Sequence, residues 1–257
     1  MKENDLLREG SSIRDFLYNV KELNFGEASK VLRRNLAYNV YSLPINRNEE
    51  FLKFLEAKRK ELEEEFDDRE NISEGTVSKS DAIILYSLVR DREPEVIVET
   101  GVCNGLSTAV ILKALEDNGK GNLYSIDLPQ IEEEDEKELW EGKGQAGIPK
   151  GKSIGWIVEE NLKDKWKLIE GDSNYRLPEL LENQDEVDIF LHDSEHSYQT
   201  MMLEFSIAWR ELRSGGLLLA DDFDSNKALE HFADGESTEK CIAGRIGILE
   251  KNESSHR

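Results

Sequence analysis

Cysteine is scarce in this chain: among 257 residues only Cys103 and Cys241 carry thiols, with no CxxC pair and no Cys/His cluster at zinc spacing. That excludes a disulfide framework and points to a reducing compartment. Long apolar runs are also missing. The longest largely apolar stretch, Ala82–Val89, falls far short of the ~20 residues a spanning helix needs. Met1–Gly10 is polar and charged and lacks the apolar core of a secretory signal. These absences predict a cytoplasmic protein with no membrane partner. Positive charge is in deficit, with 33 Lys and Arg against 55 Asp and Glu and a net charge of −22. Such a surface repels phosphates, so no nucleic-acid partner is expected, whereas small neutral or cationic ligands remain. The acidity suits an ordinary acidic surface, which the abundance of both Glu and Lys favours over a salt-adapted protein.

What is present falls into two parts. Residues 1–75 read as a helical N-terminal extension: Phe51, Phe54, Leu55 and Leu62 recur at helical spacing among charges. This segment is expected to be a lid or a dimerisation arm, giving a homo-oligomer, or an amphipathic helix docked on the core. Ser73–Glu74–Gly75 breaks the pattern, and Ser78–Arg90 reads as a further helix. From Pro94 short apolar strands alternate with helices: Val96–Val98, Leu123–Ile126, Trp166–Ile169, Val187–Leu191, Leu217–Ala220 and Ile246–Leu249 as strands. The helices between them are Leu106–Leu115, 198–212 (ended by Ser214–Gly215–Gly216) and 226–233. Alternation of this kind predicts an α/β, Rossmann-like, doubly wound and mostly parallel sheet over residues 76–257. An acidic and then glycine-rich insertion at 130–155 interrupts it after the second strand. A loop of that length is an active-site lid or is disordered.

Two constellations carry chemistry. The first is the turn Val98–Thr108, with Gly101 and Gly105 in a GxxxG spacing and Asp127 closing the next strand 26 residues after Gly101. A strand–glycine–helix turn presents free N–H groups and the positive end of a helix dipole. The dinucleotide fingerprint GxGxxG lacks its middle glycine here, and Glu99 would repel a diphosphate. A nicotinamide-dependent oxidoreductase is therefore disfavoured. Asp127 suits the two hydroxyls of a ribose, and Glu99 suits an ammonium. A nucleoside joined to a cationic amino acid, S-adenosylmethionine, meets both demands. The candidate cofactor-binding residues are Glu99, Thr100, Gly101, Cys103, Asn104, Gly105, Ser107, Asp127 and Leu128. Asp172 and Ser173 after the third strand, and Asp193 after the fourth, join them.

The second constellation lies at the ends of the fourth and fifth strands, which face one crevice in a parallel sheet. Asp193, Asp221 and Asp222 could converge there. Clustered carboxylates repel unless protons or a cation intervene, and a hard ion such as Mg²⁺ takes carboxylate oxygens. His196, three residues after Asp193, is a candidate general base or a hydrogen-bonded structural residue. His192, on the strand, reads as packed.

The runs Val96–Thr108, Tyr124–Asp127, Asp188–Tyr198 (with its D-x-x-H-S-Y) and Gly215–Asp222 (with its A-D-D) resemble the class I S-adenosylmethionine-dependent methyltransferases. Within them the similarity is to macrolide-sugar O-methyltransferases and cephalosporin-hydroxylase-like proteins, and more distantly to catechol O-methyltransferases. It spans about residues 78–250. The resemblance implies a seven-stranded sheet with the last strand antiparallel, and a thin sixth strand at Glu239–Ala243. It implies cofactor contacts from Glu99, Gly101 and Asp127. Mg²⁺ would be held by Asp193, Asp221 and Asp222, and His196 would be the base. The partner would be a small-molecule methyl acceptor such as a sugar hydroxyl. A non-catalytic protein that keeps the cofactor fold is the remaining alternative, against which the intact Asp193, His196, Asp221 and Asp222 speak.

Overall fold

Leucine and β-branched residues alternate along the strands in a way that supplies two apolar faces at once, and a sheet covered on both sides follows. The computed structural model describes residues 48–66, 76–128, 148–149, 151–184 and 186–252. Expectations for residues 1–47, Ser73–Gly75 and the acidic run Gln130–Glu141 lie outside these. The elements in chain order are α1 (Glu49–Glu65), α2 (Lys79–Arg92), β1 (Val96–Thr100), α3 (Leu106–Asn118), β2 (Asn122–Asp127), a 3₁₀ turn (Glu160–Lys165) and β3 (Trp166–Glu170). There follow α4 (Ser173–Leu181), β4 (Val187–His192), α5 (Tyr198–Glu211), β5 (Leu212–Ala220), α6 (Ala228–Gly235), β6 (Lys240–Ala243) and β7 (Ile246–Glu250).

The seven strands form one sheet in the order β3-β2-β1-β4-β5-β7-β6. β7 runs antiparallel to both β5 and β6, and the pairs from β3 through to β5 are parallel. This is the seven-stranded, Rossmann-like arrangement expected, including the thin sixth strand. Side chains alternate across it: Ile97, Leu123, Ile189, Leu191, Leu217 and Leu219 pack toward α2 and α3. Val98, Phe190, Leu218, Ala220 and Leu249 pack toward α4, α5 and α6. The strand order reverses at β1 and β4, so the crevice between their C-terminal ends is where a ligand fits an open α/β sheet.

α1 is part of the first core. Phe51 stacks on Tyr86 with ring centroids 3.7 Å apart, and Phe51, Leu55 and Leu62 are buried. Asn48 caps the helix by accepting the Phe51 N–H at 3.1 Å. The helical spacing read from the sequence thus marks a docked face.

Two local expectations are corrected. Ser214–Gly215–Gly216 does not end a helix: α5 stops at Glu211 and the three residues run inside β5. The stop is supplied from the far end of the chain, where the Lys251 ammonium donates to the carbonyls of Trp209 (2.6 Å), Arg210 (3.1 Å) and Leu212 (2.6 Å). Those are the carbonyls that a helix C-terminus leaves without partners. Gly215 N–H donates to Lys251 O and Lys251 N–H to Gly216 O, which draws the glycines into the sheet. The helix placed at 226–233 is α6, shifted to Ala228–Gly235 with Lys227 at its N-cap position; Asn226, just before it, accepts the Ala228 N–H at 2.7 Å.

Removing a buried aromatic ring costs about 3–5 kcal/mol, so Phe51→Ala is expected to lower unfolding free energy by that amount in urea titrations. A loss under about 1 kcal/mol, the range of surface substitutions, would show that α1 is not part of the core.

Candidate active site

The turn after β1 is made without side chains where it meets β4. Gly101 has φ +85°, its N–H donates to Ile126 O at 2.9 Å, and a Cβ there would lie 2.0 Å from Asp193 O. Only glycine takes that backbone and that contact together. Gly105, at φ +94°, opens α3 with no side-chain cap, and a Cβ on it would come within 2.7 Å of Gly155 Cα. Asp127 crosses from β2 to face this turn. Its Oδ2 accepts the N–H groups of Val102 (3.0 Å) and Cys103 (2.7 Å), and its Oδ1 accepts that of Leu128 (2.7 Å). Burial raises its pKa, against the pull of those three N–H groups. A carboxylate has about four acceptor positions, so Asp127 keeps capacity toward the mouth.

Glu99 is fully buried beneath the turn. Ser107 donates to its Oε1 at 2.7 Å, and Thr108 (2.8 Å) and Ser125 (2.7 Å) donate to its Oε2. Burial pushes its pKa up to about 7 while the hydroxyls pull it back. Ser107 therefore serves Glu99. Cys103 and Asn104 engage the chain that follows the insertion: Gly155 N–H donates to Cys103 O at 2.9 Å, and Trp156 Nε1–H to Asn104 Oδ1 at 2.6 Å. Burial lifts the Cys103 thiol to about 12, which leaves it protonated. Ile154, Ile157 and Val158 are buried, so the chain from Ile154 to Val158 packs against the turn. The preceding residues 129–147 lie outside the described ones.

At the second constellation, ligating atoms of Asp193, His196 and Asp221 all lie within 4.8 Å of one another. Burial, and then the charges of Asp221, Glu99 and Asp222, raise the Asp193 pKa well above the usual carboxylate range. Burial, Asp222 and Asp81 bring that of Asp221 to about 6. Burial and the neighbouring His192 ring lower the pKa of His196, whose Nε2 is buried with no hydrogen-bond partner among the described residues. Two crowded carboxylates beside an unpartnered imidazole nitrogen fit a divalent cation. Asp222, grouped with them from the sequence, has φ +45° and gives its carboxylate to the Arg245 guanidinium. The turn carrying Arg245 is pinned by Asp81, which accepts the Arg245 N–H at 3.0 Å.

Asp172 caps α4 by accepting the Asn174 N–H at 2.8 Å. Ser173 bonds to Glu204, which the sequence reading missed. Glu204 is fully buried. Its Oε2 takes Thr100 Oγ1 (2.6 Å) and His192 Nδ1 (2.7 Å), and its Oε1 takes Ser194 Oγ (2.8 Å). Burial pushes its pKa up, but His192 and the hydroxyls outweigh that and hold it below its ordinary value. The signal was present: Glu204 sits on the stripe of Met201, Phe205 and Ala208, which is otherwise apolar and buried. An acid on a buried stripe needs partners.

Residues 98–223 match the family model described as a methyltransferase domain. No curated protein sequence matches the chain. Among solved structures, it is similar to the SAH-bound methyltransferase PaMTH1 of Podospora anserina (15% identity, 78% of this chain and 88% of that one, TM-score 0.54). It is also similar to TomG, an O-methyltransferase of Streptomyces achromogenes involved in tomaymycin synthesis, in complex with SAM (15%, 77% and 90%, 0.53). A third is an O-methyltransferase of Bacillus cereus in complex with SAH (15%, 76% and 91%, 0.52). Identities this low speak for the shared fold alone. No helix among the described residues is long and apolar enough to cross a membrane.

Glu99 makes stability pH-dependent. Its folded pKa of about 7 exceeds its ordinary 4.5, so between those values the folded state keeps a proton the unfolded chain has lost. Its contribution to stability is present below the lower value and is lost as pH rises toward the upper one, at up to about 1.4 kcal/mol per pH unit. Urea titrations across that window should show the wild type losing stability relative to Glu99→Gln; parallel curves would contradict the buried titration.

Proposed function

We propose that this chain, whose residues 98–223 match the methyltransferase-domain family model, is an S-adenosylmethionine-dependent O-methyltransferase. Its acceptor is a hydroxyl on a sugar or another small natural product, and a divalent cation, Mg²⁺, assists. One observation carries the reading: the Asp127 carboxylate faces the Gly101 turn, where it can accept ribose hydroxyls. The buried Glu99 beneath the same turn favours a cationic ligand over a diphosphate. The likeness in fold to O-methyltransferases that bind SAM or SAH supports the cofactor.

Bound S-adenosylmethionine supplies an electrophilic methyl on its sulfonium. A cation held by the Asp193 and Asp221 carboxylates would supply charge that lowers the pKa of an acceptor hydroxyl, leaving the His196 nitrogen free. Asp127 fixes the nucleoside end, and the Gly101–Asp193 contact sets the distance between that end and the acidic cluster. His196 is kept neutral near pH 7 by its burial and by the His192 ring, so it can take the proton the hydroxyl gives up. Asp222, paired with Arg245, limits the net negative charge at the mouth. Most of the rate acceleration is then positioning of the two reactants.

Calorimetry with S-adenosylhomocysteine tests the reading. The wild type is expected to bind it, and Asp127→Asn to bind at least about tenfold more weakly, the loss of roughly one charge-assisted hydrogen bond. Absence of wild-type binding, or an unchanged affinity in the variant, would refute the assignment.

A further inference from the structure

Asp193 is flanked by two residues that bond to the two oxygens of one buried carboxylate. His192 Nδ1 meets Glu204 Oε2 at 2.7 Å, and Ser194 Oγ donates to Glu204 Oε1 at 2.8 Å. The same Oε2 accepts Thr100 Oγ1 at 2.6 Å, from the residue just before Gly101. Asp193 N–H in turn donates to Thr100 O at 2.8 Å. One side chain from α5 thus ties the exit of β1 to the exit of β4 and grips the peptide on both sides of Asp193. Glu204 itself is shut off from the crevice, being fully buried.

An acid there is costly to bury and would not be needed for packing alone, since Met201, Phe205 and Ala208 fill the same stripe. Its geometry is that of a group that orients other ligands through their neighbours, as outer hydrogen bonds do at metal sites. We infer that Glu204 is a positioning residue for the acidic cluster: by holding His192 and Ser194 it fixes the direction of the Asp193 carboxylate toward His196 and Asp221. This rests on the proposed metal-assisted reading of that cluster. The side of the turn that faces the nucleoside is set by Asp127 and its own N–H partners, none of which Glu204 touches. Of the candidate cofactor residues Glu204 bonds only Thr100, which is fully buried, and Ser173, so its main effect falls on the acidic side.

The expected consequence separates positioning from stability. In Glu204→Gln the amide keeps the shape and one acceptor oxygen, but its NH₂ faces groups that now donate to the carboxylate. Paramagnetic titration with Mn²⁺, well below the melting temperature, is expected to show affinity falling by about tenfold or more, the 10–100-fold range for losing an outer-shell partner. Calorimetry on the same sample should find S-adenosylhomocysteine affinity within about threefold of wild type, below the tenfold that 1.4 kcal/mol represents. Ser194→Ala cuts one arm from a half-buried position and leaves the core intact, so it should fold readily and weaken Mn²⁺ by a smaller factor in the same direction. A lower melting temperature with both affinities unchanged would make Glu204 merely structural and overturn the inference. Parallel loss of both ligands would overturn it too, as general loosening. A wild type that binds S-adenosylhomocysteine but not Mn²⁺ would remove the metal reading and the inference together. A wild type that binds Mn²⁺ as tightly as Glu204→Gln does would remove only the inference.

Discussion

The molecule is organised around a contact between two stretches of backbone: the glycine at the end of β1 lies against the carbonyl of Asp193 at the end of β4. A side chain on Gly101 would meet that carbonyl oxygen at 2.0 Å. Central strands of a parallel sheet diverge at their exits by twist, and here the exits are held together by Asp193 N–H on Thr100 O and by Glu204 on Thr100, His192 and Ser194. The cofactor turn and the acidic cluster are consequently one construction. Displacing the shared backbone at Gly101 and Asp193 moves both, whereas turning the Asp193 side chain alone moves only the acidic side.

Around that junction the chain buries more negative charge than hydrophobic packing favours. Glu99, Asp193, Asp221 and Glu204 gather within a few side-chain lengths, and each meets the cost of burial differently. Glu204 is fully bonded and stays ionised. Glu99 is bonded by three hydroxyls but remains close to neutrality in its titration. Asp193 and Asp221 crowd each other, with only the Asp222 N–H and the Arg245 charge as partial relief at Asp221, and their pKa values rise. The last two are the acids facing the crevice, next to an unpartnered histidine nitrogen. Carboxylates crowded together with raised pKa values, while their neighbours are fully bonded, mark a place for a ligand that supplies positive charge.

The sheet was legible because its strands are short apolar runs between glycine and proline signals, and because each helix between them carries an apolar face. The Gly101, Asp127 and Asp193–His196 elements were legible because residue type and position after a strand suffice to place them in the crevice. Three features were not. Gly215–Gly216 reads as a stop locally, yet Lys251, distant in sequence, supplies the cap that ends α5 earlier. Asp222 looks equivalent to Asp221, yet it has a left-handed backbone and the Arg245 turn held by Asp81 brings a guanidinium to its carboxylate. Cys103 and Asn104 sit in the cofactor turn and also bond residues 155–156, through the Cys103 carbonyl and the Asn104 side chain, a contact with no periodicity to read. In each case the deciding partner is remote along the chain. Glu204 is the opposite case, visible as an acid on an apolar stripe and passed over.

The most direct measurement of the junction is ligand binding by Gly101→Ala, with secondary structure followed by circular dichroism. Strain of about 1–3 kcal/mol from the left-handed residue adds to a backbone clash that must displace Asp193. The account predicts a folded variant that loses S-adenosylhomocysteine and Mn²⁺ binding together. A folded Gly101→Ala that keeps either ligand at wild-type affinity would show that the two halves of the site are independent and contradict it.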